Sequence, residues 1–213
     1  MRFRDRAAAG RRLAALVVDR GLADPVVLAL PRGGVPVAFE VAAALGVPFN
    51  VFVARKVGCP GRPELGIGAV AEGGGVVARA DALDSLGISR RDFDRLAEAE
   101  REEVDRRVRR YRGTRALPPV AGRDVVLVDD GIATGGTAEA ALLALRARHP
   151  RALVLAAPTC APESAAHLRA IADVVLCVVE PDDFRAVGAW YDRFDQTSDA
   201  EVRDLLERSA VRP

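Results

Sequence analysis

The sequence predicts an α/β fold, in which an open and mainly parallel sheet is flanked by helices and carries a small hood. Apolar runs of strand length recur along the chain, and each is nearly continuous, as is typical of parallel strands covered on both faces. Helical stretches separate several of these runs. The chain has 213 residues, 50% of them apolar, so we expect a single domain over residues 1–213.

The first element is a predicted amphipathic helix in the Arg- and Ala-rich opening stretch, with Leu13, Leu16 and Val17 turned inward. Transit peptides have a similar composition. Asp5, Asp19 and the shortness of the apolar stretch argue against a targeting segment.

Strands and helices then alternate along the chain. The strands are predicted at Val26–Leu30, Val51–Ala54, Val125–Val128, Leu153–Ala157 and Val174–Val179. The helices between them are predicted at Val35–Leu45, Ala138–Arg148 and Pro162–Ile171. Ligands of open α/β sheets bind beyond the carboxyl ends of the strands, so the loops after Leu30, Ala54 and Val128 form the predicted site.

Two stretches interrupt this alternation, and we expect the hood to come from residues 57–118 and 180–213. Residues 57–75 are rich in Gly and Pro, which predicts a mobile loop followed by a hairpin through Gly73-Gly74-Gly75. Residues 89–112 predict a long charged helix that Ser89 and Asp92 cap. We interpret its basic end as a solvated face, because a nucleic-acid arm would carry interleaved aromatic residues.

Charge and cysteine content exclude several classes of protein. The chain has 31 Lys and Arg against 30 Asp and Glu, a balance that argues against a nucleic-acid-coating protein. No apolar run reaches the ~18 residues of a membrane span. The three cysteines lack metal-ligand spacing and are odd in number, which argues against a zinc ribbon or a disulfide framework. We therefore expect Cys160 and Cys177 to be buried packing residues and the protein to be cytoplasmic.

Lys56 is the only lysine among the 31 cationic residues. A coding bias toward arginine explains such a count without any function. The alternative is a site that needs a compact ammonium group, which a guanidinium cannot replace.

The strongest functional signal is the run VVLVDDGIATGGTAEAAL at residues 125–142. A buried strand ends in Asp129 and Asp130, whose carboxylates can accept hydrogen bonds from vicinal hydroxyls. A loop of small residues then leads into a helix, so that backbone N–H groups and hydroxyls can surround a phosphate. The residues of this loop that would contact the phosphate are Ala133, Thr134, Gly135, Gly136 and Thr137.

This run resembles the phosphoribosyl-diphosphate (PRPP) signature of the type I phosphoribosyltransferases, which have a Rossmann-like core. The resemblance implies that Asp129 and Asp130 hold the ribose 2- and 3-hydroxyls, and that residues 133–137 wrap the 5-phosphate. It also implies Mg²⁺ as cofactor, held near Asp129 and Asp130 mostly through PRPP and water.

Two further loops match the same family. Arg32-Gly33-Gly34 resembles its pyrophosphate loop, which often holds a non-proline cis peptide bond, here expected before or after Arg32. Arg55-Lys56 with Gly58-Cys59-Pro60-Gly61 resembles the start of its flexible catalytic loop, as in adenine phosphoribosyltransferases. Lys56 would then neutralise the departing diphosphate. Glu64 belongs to the same stretch and receives no role.

Aromatic residues after the last strand are the candidates for binding the acceptor. Phe184, Trp190 and Tyr191 could stack on a base, and Asp192 could reach a second metal or an amino group; packing of the C-terminal helix against the sheet is the alternative explanation of these residues. Ala133 stands where 6-oxopurine enzymes have an Asp. This weakens hypoxanthine or guanine as acceptor and leaves adenine-like, pyrimidine-like, amine and other acceptors open.

A closer resemblance covers nearly the whole chain. The stretches RKVGCPGRPELGIGAVAEGG, YRG and AVGAWYDRFDQTSDAEVRDLL are similar to a bacterial group described only as predicted phosphoribosyltransferases. The resemblance implies an Mg-dependent transferase whose partners are PRPP and a small-molecule acceptor, with no nucleic acid and no membrane, and with a homodimer as one option.

Two other functions compete with transfer. A PRPP-binding regulator without catalysis would usually bring a DNA-binding module, and the single helix before the first strand does not supply a helix-turn-helix. The second competing function is that of a phosphohydrolase acting on phosphoribosyl compounds.

Overall fold

The main sheet has five parallel strands in the order β2-β1-β6-β7-β8. The structure is a computed structural model and describes residues 2–210, apart from the side chain of Glu64. The strands are β1 (Pro25–Ala29), β2 (Phe49–Val51), β6 (Asp124–Val128), β7 (Ala152–Thr159) and β8 (Val174–Val179). The predicted parallel α/β fold is thus confirmed.

Helices cover both faces of this sheet. They are α1 (Arg6–Val18), α2 (Gly34–Leu45), α5 (Gly136–Arg146), α6 (Pro162–Leu168) and α7 (Asp199–Ala210). On β1, Val27 packs in one apolar cluster with α1, α2 and α7, whereas Val26 and Leu28 pack in the other with α5 and α6. Two covered faces explain why the apolar runs of the sequence are continuous.

A second sheet of three antiparallel strands follows β2. It consists of β3 (Ala54–Cys59), β4 (Arg62–Ala71) and β5 (Gly75–Ala78), and it leads into α3 (Ala80–Leu86) and α4 (Arg90–Arg112). Ser89 caps α4 as predicted, since its hydroxyl accepts from the Asp92 amide. The hairpin turn after Ala71 is also confirmed, and Gly73 and Gly74 take positive φ there.

The mobile loop predicted before this hairpin is wrong, because residues 57–59 and 62–71 belong to β3 and β4. The glycines that predicted a loop are instead points of close contact between strands. A Cβ atom at Gly68 would lie 2.4 Å from the Val77 carbonyl oxygen, and one at Gly58 would lie 2.7 Å from the Pro63 carbonyl oxygen. Glycine is required in these strands because neighbouring backbone fills the space of a side chain.

A buried ion pair ties α4 and the second sheet to the main sheet. Arg112 at the end of α4 pairs with Glu72, and only 6% and 3% of these residues is exposed. Arg112 Nη1 also donates to the Val51 carbonyl oxygen (3.0 Å), and the Val53 amide donates to Glu72 Oε1 (2.9 Å). The two charges are thus paired and hydrogen-bonded, as burial requires.

The other parts of the expected hood lie elsewhere. Helix α7 packs on α2, and Ser209 Oγ accepts from the Phe49 amide at the edge of the main sheet (3.0 Å). Residues 211–213 lie outside the described residues. Leu16, predicted to turn inward, is 37% exposed, whereas Leu13 and Val17 are buried. None of the helices within residues 2–210 combines the length and apolar character needed to cross a membrane.

The expectation that Cys160 and Cys177 are separate packing residues is wrong, because the structure joins them in a disulfide. Cys160 follows the end of β7, and Cys177 lies on the neighbouring strand β8. Parallel pairing brings their Cα atoms to 6.2 Å although 17 positions separate them in sequence. The pairing depends on strand register, which cysteine counting does not contain. Cys59 on β3 is a free thiol.

We expect Asp5→Ala to lower the free energy of unfolding by about 1 kcal/mol at neutral pH, because Asp5 is the N-cap of α1. Its Oδ1 accepts from the Ala8 amide (2.8 Å), and this bond is the main cause that lowers the pKa of Asp5 to about 2. A depressed pKa stabilises the fold above the unfolded value of 3.8, and this contribution is lost as the pH falls toward 2.

Denaturant unfolding of wild type and variant at pH 7 and at pH 2 to 3 tests this. The gap between them should shrink at low pH. Asp19→Ala, at the other end of α1, is the control and should show no comparable loss. An equal gap at both pH values would contradict a charged cap.

Candidate active site

The loops after β1 and β6 meet at the carboxyl edge of the main sheet, as predicted. A Cβ atom at Gly33 would lie 2.1 Å from Asp130 Oδ2, and one at Gly34 would lie 2.5 Å from the Val128 carbonyl oxygen. Only glycine therefore lets the first loop pass so close to the acidic residues of the second. The peptide bond between Pro31 and Arg32 is cis, which confirms the expectation for this loop.

The loop after β6 forms a concave surface at the start of α5. Residues 131–138 line a cleft of about 170 Å³, in which the Thr134 and Thr137 side chains are exposed. Gly135 takes a φ of 75° immediately before α5, a conformation that favours glycine. The first amides of α5 have no partner within the helix and carry its positive partial charge. This geometry suits a phosphate group.

A neighbouring segment fixes the position of this loop. The Ile132 amide donates to the Thr159 carbonyl oxygen (2.8 Å), and the Ala161 amide donates back to the Ile132 carbonyl oxygen (2.8 Å). Ser164 Oγ donates to the Ala133 carbonyl oxygen (2.5 Å). Thr159 and Ala161 are the neighbours of Cys160 in sequence. The disulfide therefore lies next to the loop of residues 131–137, which we call the phosphate-type loop.

Asp129 and Asp130 lie side by side at the end of β6. Burial, followed by the charge of Asp130, raises the pKa of Asp129 well above its ordinary value. Burial also raises the pKa of Asp130, although Arg6 opposes this effect. Two buried carboxylates in contact resist full ionisation, and they favour any ligand that donates hydrogen bonds or positive charge.

Arg6 at the start of α1 contacts this acidic pair, and sequence reasoning did not identify it. Its Nε donates to Asp130 Oδ2 at 2.7 Å, and both side chains are nearly buried. Tyr191, 61 residues after Asp130, donates its hydroxyl to the Asp130 carbonyl oxygen at 2.6 Å. Both contacts are long-range, and no local pattern around Arg6 distinguishes it from the many other arginines of the chain.

Lys56 lies on β3 and faces the phosphate-type loop. Its side chain passes two glycines: a Cβ atom at Gly66 would lie 3.2 Å from Lys56 Cδ, and one at Gly136 would lie 3.3 Å from it. A cleft of about 260 Å³ opens here, bounded by Lys56, by Pro31 of the first loop and by Thr137 of the second. The lone lysine, predicted to be in a mobile loop, is therefore part of a strand at the junction of all three segments.

Two arginines line this cleft together with Lys56, namely Arg55 and Arg107. Arg55 is held by an ion pair with Glu100 on α4, and Arg107 donates to Glu103 one turn earlier on that helix (2.6 Å). The basic end of α4 therefore contributes one cation to the cleft, whereas the sequence predicted a solvated face. Arg107 reaches the cleft because the second sheet places α4 beside β3.

Arg32 lies beside Asp199, the first residue of α7, with Nη1 at 3.5 Å from its Oδ1. Arg110 contacts the same carboxylate at 3.1 Å. Burial raises the pKa of Asp199, but the Tyr111 hydroxyl and the two arginines outweigh it and lower the pKa overall. The pyrophosphate-type loop is thus linked to the C-terminal helix.

The predicted acceptor residues occupy different environments. Tyr191 is 2% exposed and packs between Phe3 and Phe194, with ring centroids at 5.6 and 4.9 Å, so it offers no open ring face. Phe184 and Trp190 are half-buried, and Asp192 is exposed beside Arg2 (3.5 Å). Burial, and then the charge of Asp130, raises the pKa of the Tyr191 hydroxyl. Tyr191 therefore contacts the site through its hydrogen bond to the backbone of Asp130.

Comparison with known proteins supports the motif-based assignment. A family model described as the phosphoribosyl transferase domain matches residues 3–192. A Mycobacterium tuberculosis H37Rv protein named "Putative phosphoribosyl transferase Rv0571c" is 44% identical over 207 residues, and the same match occurs in strain CDC 1551. The match covers 97% of this chain but 47% of those proteins, so the chain spans about half the length of the curated relatives it matches.

A solved structure shares both fold and sequence with this chain. The crystal structure of TT1426 from Thermus thermophilus is 45% identical, has a TM-score of 0.91, and covers 98% of this chain and 99% of its own. Its similarity extends through the second sheet as well as the main sheet, because nearly every residue of both chains is aligned. The family match over the paired acids, both loops and Lys56 places this chain in the phosphoribosyl transferase family.

Proposed function

We propose that this protein transfers a 5-phosphoribosyl group from PRPP to a nitrogen nucleophile and releases diphosphate. The observation that carries the proposal is the meeting of three segments at two adjoining clefts that share Thr137: the acidic pair with its phosphate-type loop, the Arg32-Gly33-Gly34 loop, and Lys56. Each has the chemistry of one part of PRPP.

The ribose and its 5-phosphate fit the loop after β6. The carboxylates of Asp129 and Asp130 would accept hydrogen bonds from the 2- and 3-hydroxyls. The amides of α5 and the hydroxyls of Thr134 and Thr137 would hold the phosphate, because the loop itself carries no long side chain. Hydroxyl donors on the ribose would also offset the burial that raises the pKa of both residues, and for Asp129 the additional repulsion by Asp130.

The diphosphate fits the cleft that Arg55, Lys56 and Arg107 line. The bond between ribose C1 and the diphosphate oxygen breaks and the oxygen keeps the electron pair. The acceptor nitrogen forms the new bond to C1 with its lone pair, and its proton passes to solvent water. Negative charge builds on the leaving group, so a fixed ammonium nearby stabilises the transition state more than the ground state.

Mg²⁺ fits this site as a shared ion. Its oxygen-preferring chemistry suits the two carboxylates, but residues 2–210 contain no group of three or more His, Cys, Asp or Glu that could hold a metal by themselves. Asp129 and Asp130 would therefore hold the ion together with PRPP oxygens and water. When bound, it would neutralise part of the diphosphate charge.

For the acceptor we propose a chemical class, a nitrogen nucleophile. The exposed Ala133 carries no carboxylate, so the loop offers no acid to a purine N7. Of the aromatic candidates, Phe184 and Trp190 keep partly open surfaces, and they are the residues we propose to contact an acceptor.

The test is binding followed by turnover. We expect PRPP with Mg²⁺ at 100 times its dissociation constant to add about 2.7 kcal/mol to the free energy of unfolding, seen as a rise in Tm. A screen of bases and amines, scored by diphosphate release, should then identify the acceptor. Mg²⁺ with ribose 5-phosphate alone is the control and should give a smaller shift.

The outcomes separate the competing functions. No shift at millimolar PRPP contradicts the proposal. A shift without diphosphate release from any acceptor favours a PRPP-binding regulator. Release of inorganic phosphate from phosphoribosyl compounds in the absence of an acceptor favours a phosphohydrolase.

A further inference from the structure

The segment before α1 meets the C-terminal segment 190–195 beside the acidic pair. The Phe3 amide donates to the Trp190 carbonyl oxygen, and the Asp192 amide donates to the Phe3 carbonyl oxygen, both at 2.8 Å. This pairing places the start of α1 against residues 191–195. Arg6, the first residue of α1, therefore lies between the C-terminal segment and Asp130.

Three contacts fix the Arg6 side chain. Its Nε donates to Asp130 Oδ2 (2.7 Å), and its Nη1 donates to the Asp195 carbonyl oxygen (2.6 Å). Its guanidinium carbon lies 3.9 Å from the centre of the Phe194 ring. That ring stacks on Tyr191, whose hydroxyl donates to the carbonyl oxygen of Asp130 itself.

These contacts form a closed ring around one residue of the acidic pair. Arg6 holds the Asp130 side chain, Tyr191 holds its backbone, and Phe194 joins the two. Since Nε engages Oδ2, the carboxylate cannot rotate without losing a charge-assisted hydrogen bond. A planar guanidinium is suited to this position because it can donate in two directions while its face packs on an aromatic ring.

We propose that Arg6 is a positioning residue for PRPP: it orients the Asp130 carboxylate toward the ribose hydroxyls and links α1 and residues 194–195 to the binding site. This inference rests on the proposed function, since the ribose is the ligand that Asp130 would accept. Arg6 itself would touch Asp130, Asp195 and Phe194 rather than the reacting atoms.

The test compares Arg6→Gln and Arg6→Lys with wild type by calorimetric titration of PRPP and Mg²⁺ well below the Tm of each variant. We expect Arg6→Gln to weaken PRPP binding on the order of 10- to 100-fold, the range for a lost hydrogen bond to a charged group. Arg6→Lys should recover only part of this loss, because an ammonium cannot serve Asp130, Asp195 and the ring together. Where an acceptor is known, KM for PRPP should rise with a smaller change in kcat.

Arg11→Gln is the matched control. Arg11 lies on the same helix and also pairs with a carboxylate, that of Glu40 on α2 at 3.0 Å. This ion pair does not include either residue of the acidic pair. Its loss should leave PRPP affinity unchanged. If Arg6→Gln does not fold, Phe194→Leu loosens the guanidinium without touching Asp130 and should weaken PRPP binding in the same direction.

The outcomes distinguish this inference from the proposed function. If wild type does not bind PRPP, both fail. If wild type binds PRPP and Arg6→Gln lowers only the Tm, with affinity equal to wild type, Arg6 is a structural residue and the positioning role is wrong while the proposed function stands.

Discussion

The double variant Asp129→Asn with Asp130→Asn is expected to lose PRPP binding, by 100-fold or more, while it keeps its fold. Each substitution replaces a charged acceptor by a neutral amide of the same shape, and hydrogen bonds to charged groups are worth about 1.5–3 kcal/mol each. The NH₂ group of each asparagine is a hydrogen-bond donor, so it cannot accept the hydrogen bond that a ribose hydroxyl donates.

Stability should change in the opposite direction from binding. A carboxyl whose folded pKa is raised destabilises the fold when it is ionised, and burial raises the pKa of both residues. We therefore expect the double variant without ligand to unfold at a Tm equal to or above that of wild type, with no further rise on addition of PRPP. A site that trades stability for function behaves in this way.

Asp124→Asn is the matched control, because Asp124 begins the same strand. It accepts from Arg151 (2.8 Å) and from the Ala23 amide (2.9 Å), and the Arg151 bond is the main cause that lowers its pKa. Its loss should lower the Tm and leave PRPP binding intact. Retained PRPP binding in the Asp129 and Asp130 double variant would mean that the pair merely terminates β6.

Lys56→Ala is expected to reduce kcat on the order of 100-fold or more, with a smaller effect on PRPP binding. An ammonium next to the leaving diphosphate acts where charge develops, and removal of comparable groups has this size of effect. The structure adds a reason for lysine at this position. Glycines at 66 and 136 leave a narrow passage for its unbranched side chain, which ends beside Gly136 in the cleft that Thr137 also lines.

Lys56→Arg should restore only part of the activity, because a planar guanidinium does not occupy the place of a compact ammonium. Arg62→Ala removes an exposed cation from the adjoining strand β4 and is the control for a general loss of positive charge. Steady-state kinetics of diphosphate release measures all three. Wild-type turnover in Lys56→Ala would mean that the lone lysine reflects coding bias alone.

The parts of this protein that depend on local pattern could be predicted from sequence. The apolar run before Asp129 identified β6, and the small residues after it identified the loop at the start of α5, because both signals lie within one short segment. The same logic failed for β3 and β4. Gly58 and Gly68 have the composition of a loop, yet they serve close contacts between strands that only the tertiary structure defines.

Features that join distant segments could not be predicted. Arg6 reaches Asp130 across 124 positions, and Cys160 meets Cys177 through the register of two parallel strands. The position of Tyr191 after the last strand predicts a stacking face for an acceptor, but the ring is buried against Phe3 near the start of the chain. Long-range contacts of this kind are set by topology rather than by residue spacing.

The strand order has a consequence for how the chain acquires its structure. β1 pairs with β6 from Pro25 opposite Asp124, so closing the centre of the main sheet encloses about a hundred residues and carries a large entropic cost. The second sheet pairs through two short hairpins and can form before this closure. During synthesis β1 keeps one hydrogen-bonding edge unpaired until residues 124–128 emerge from the ribosome, and an unpaired strand edge of this kind can template aggregation.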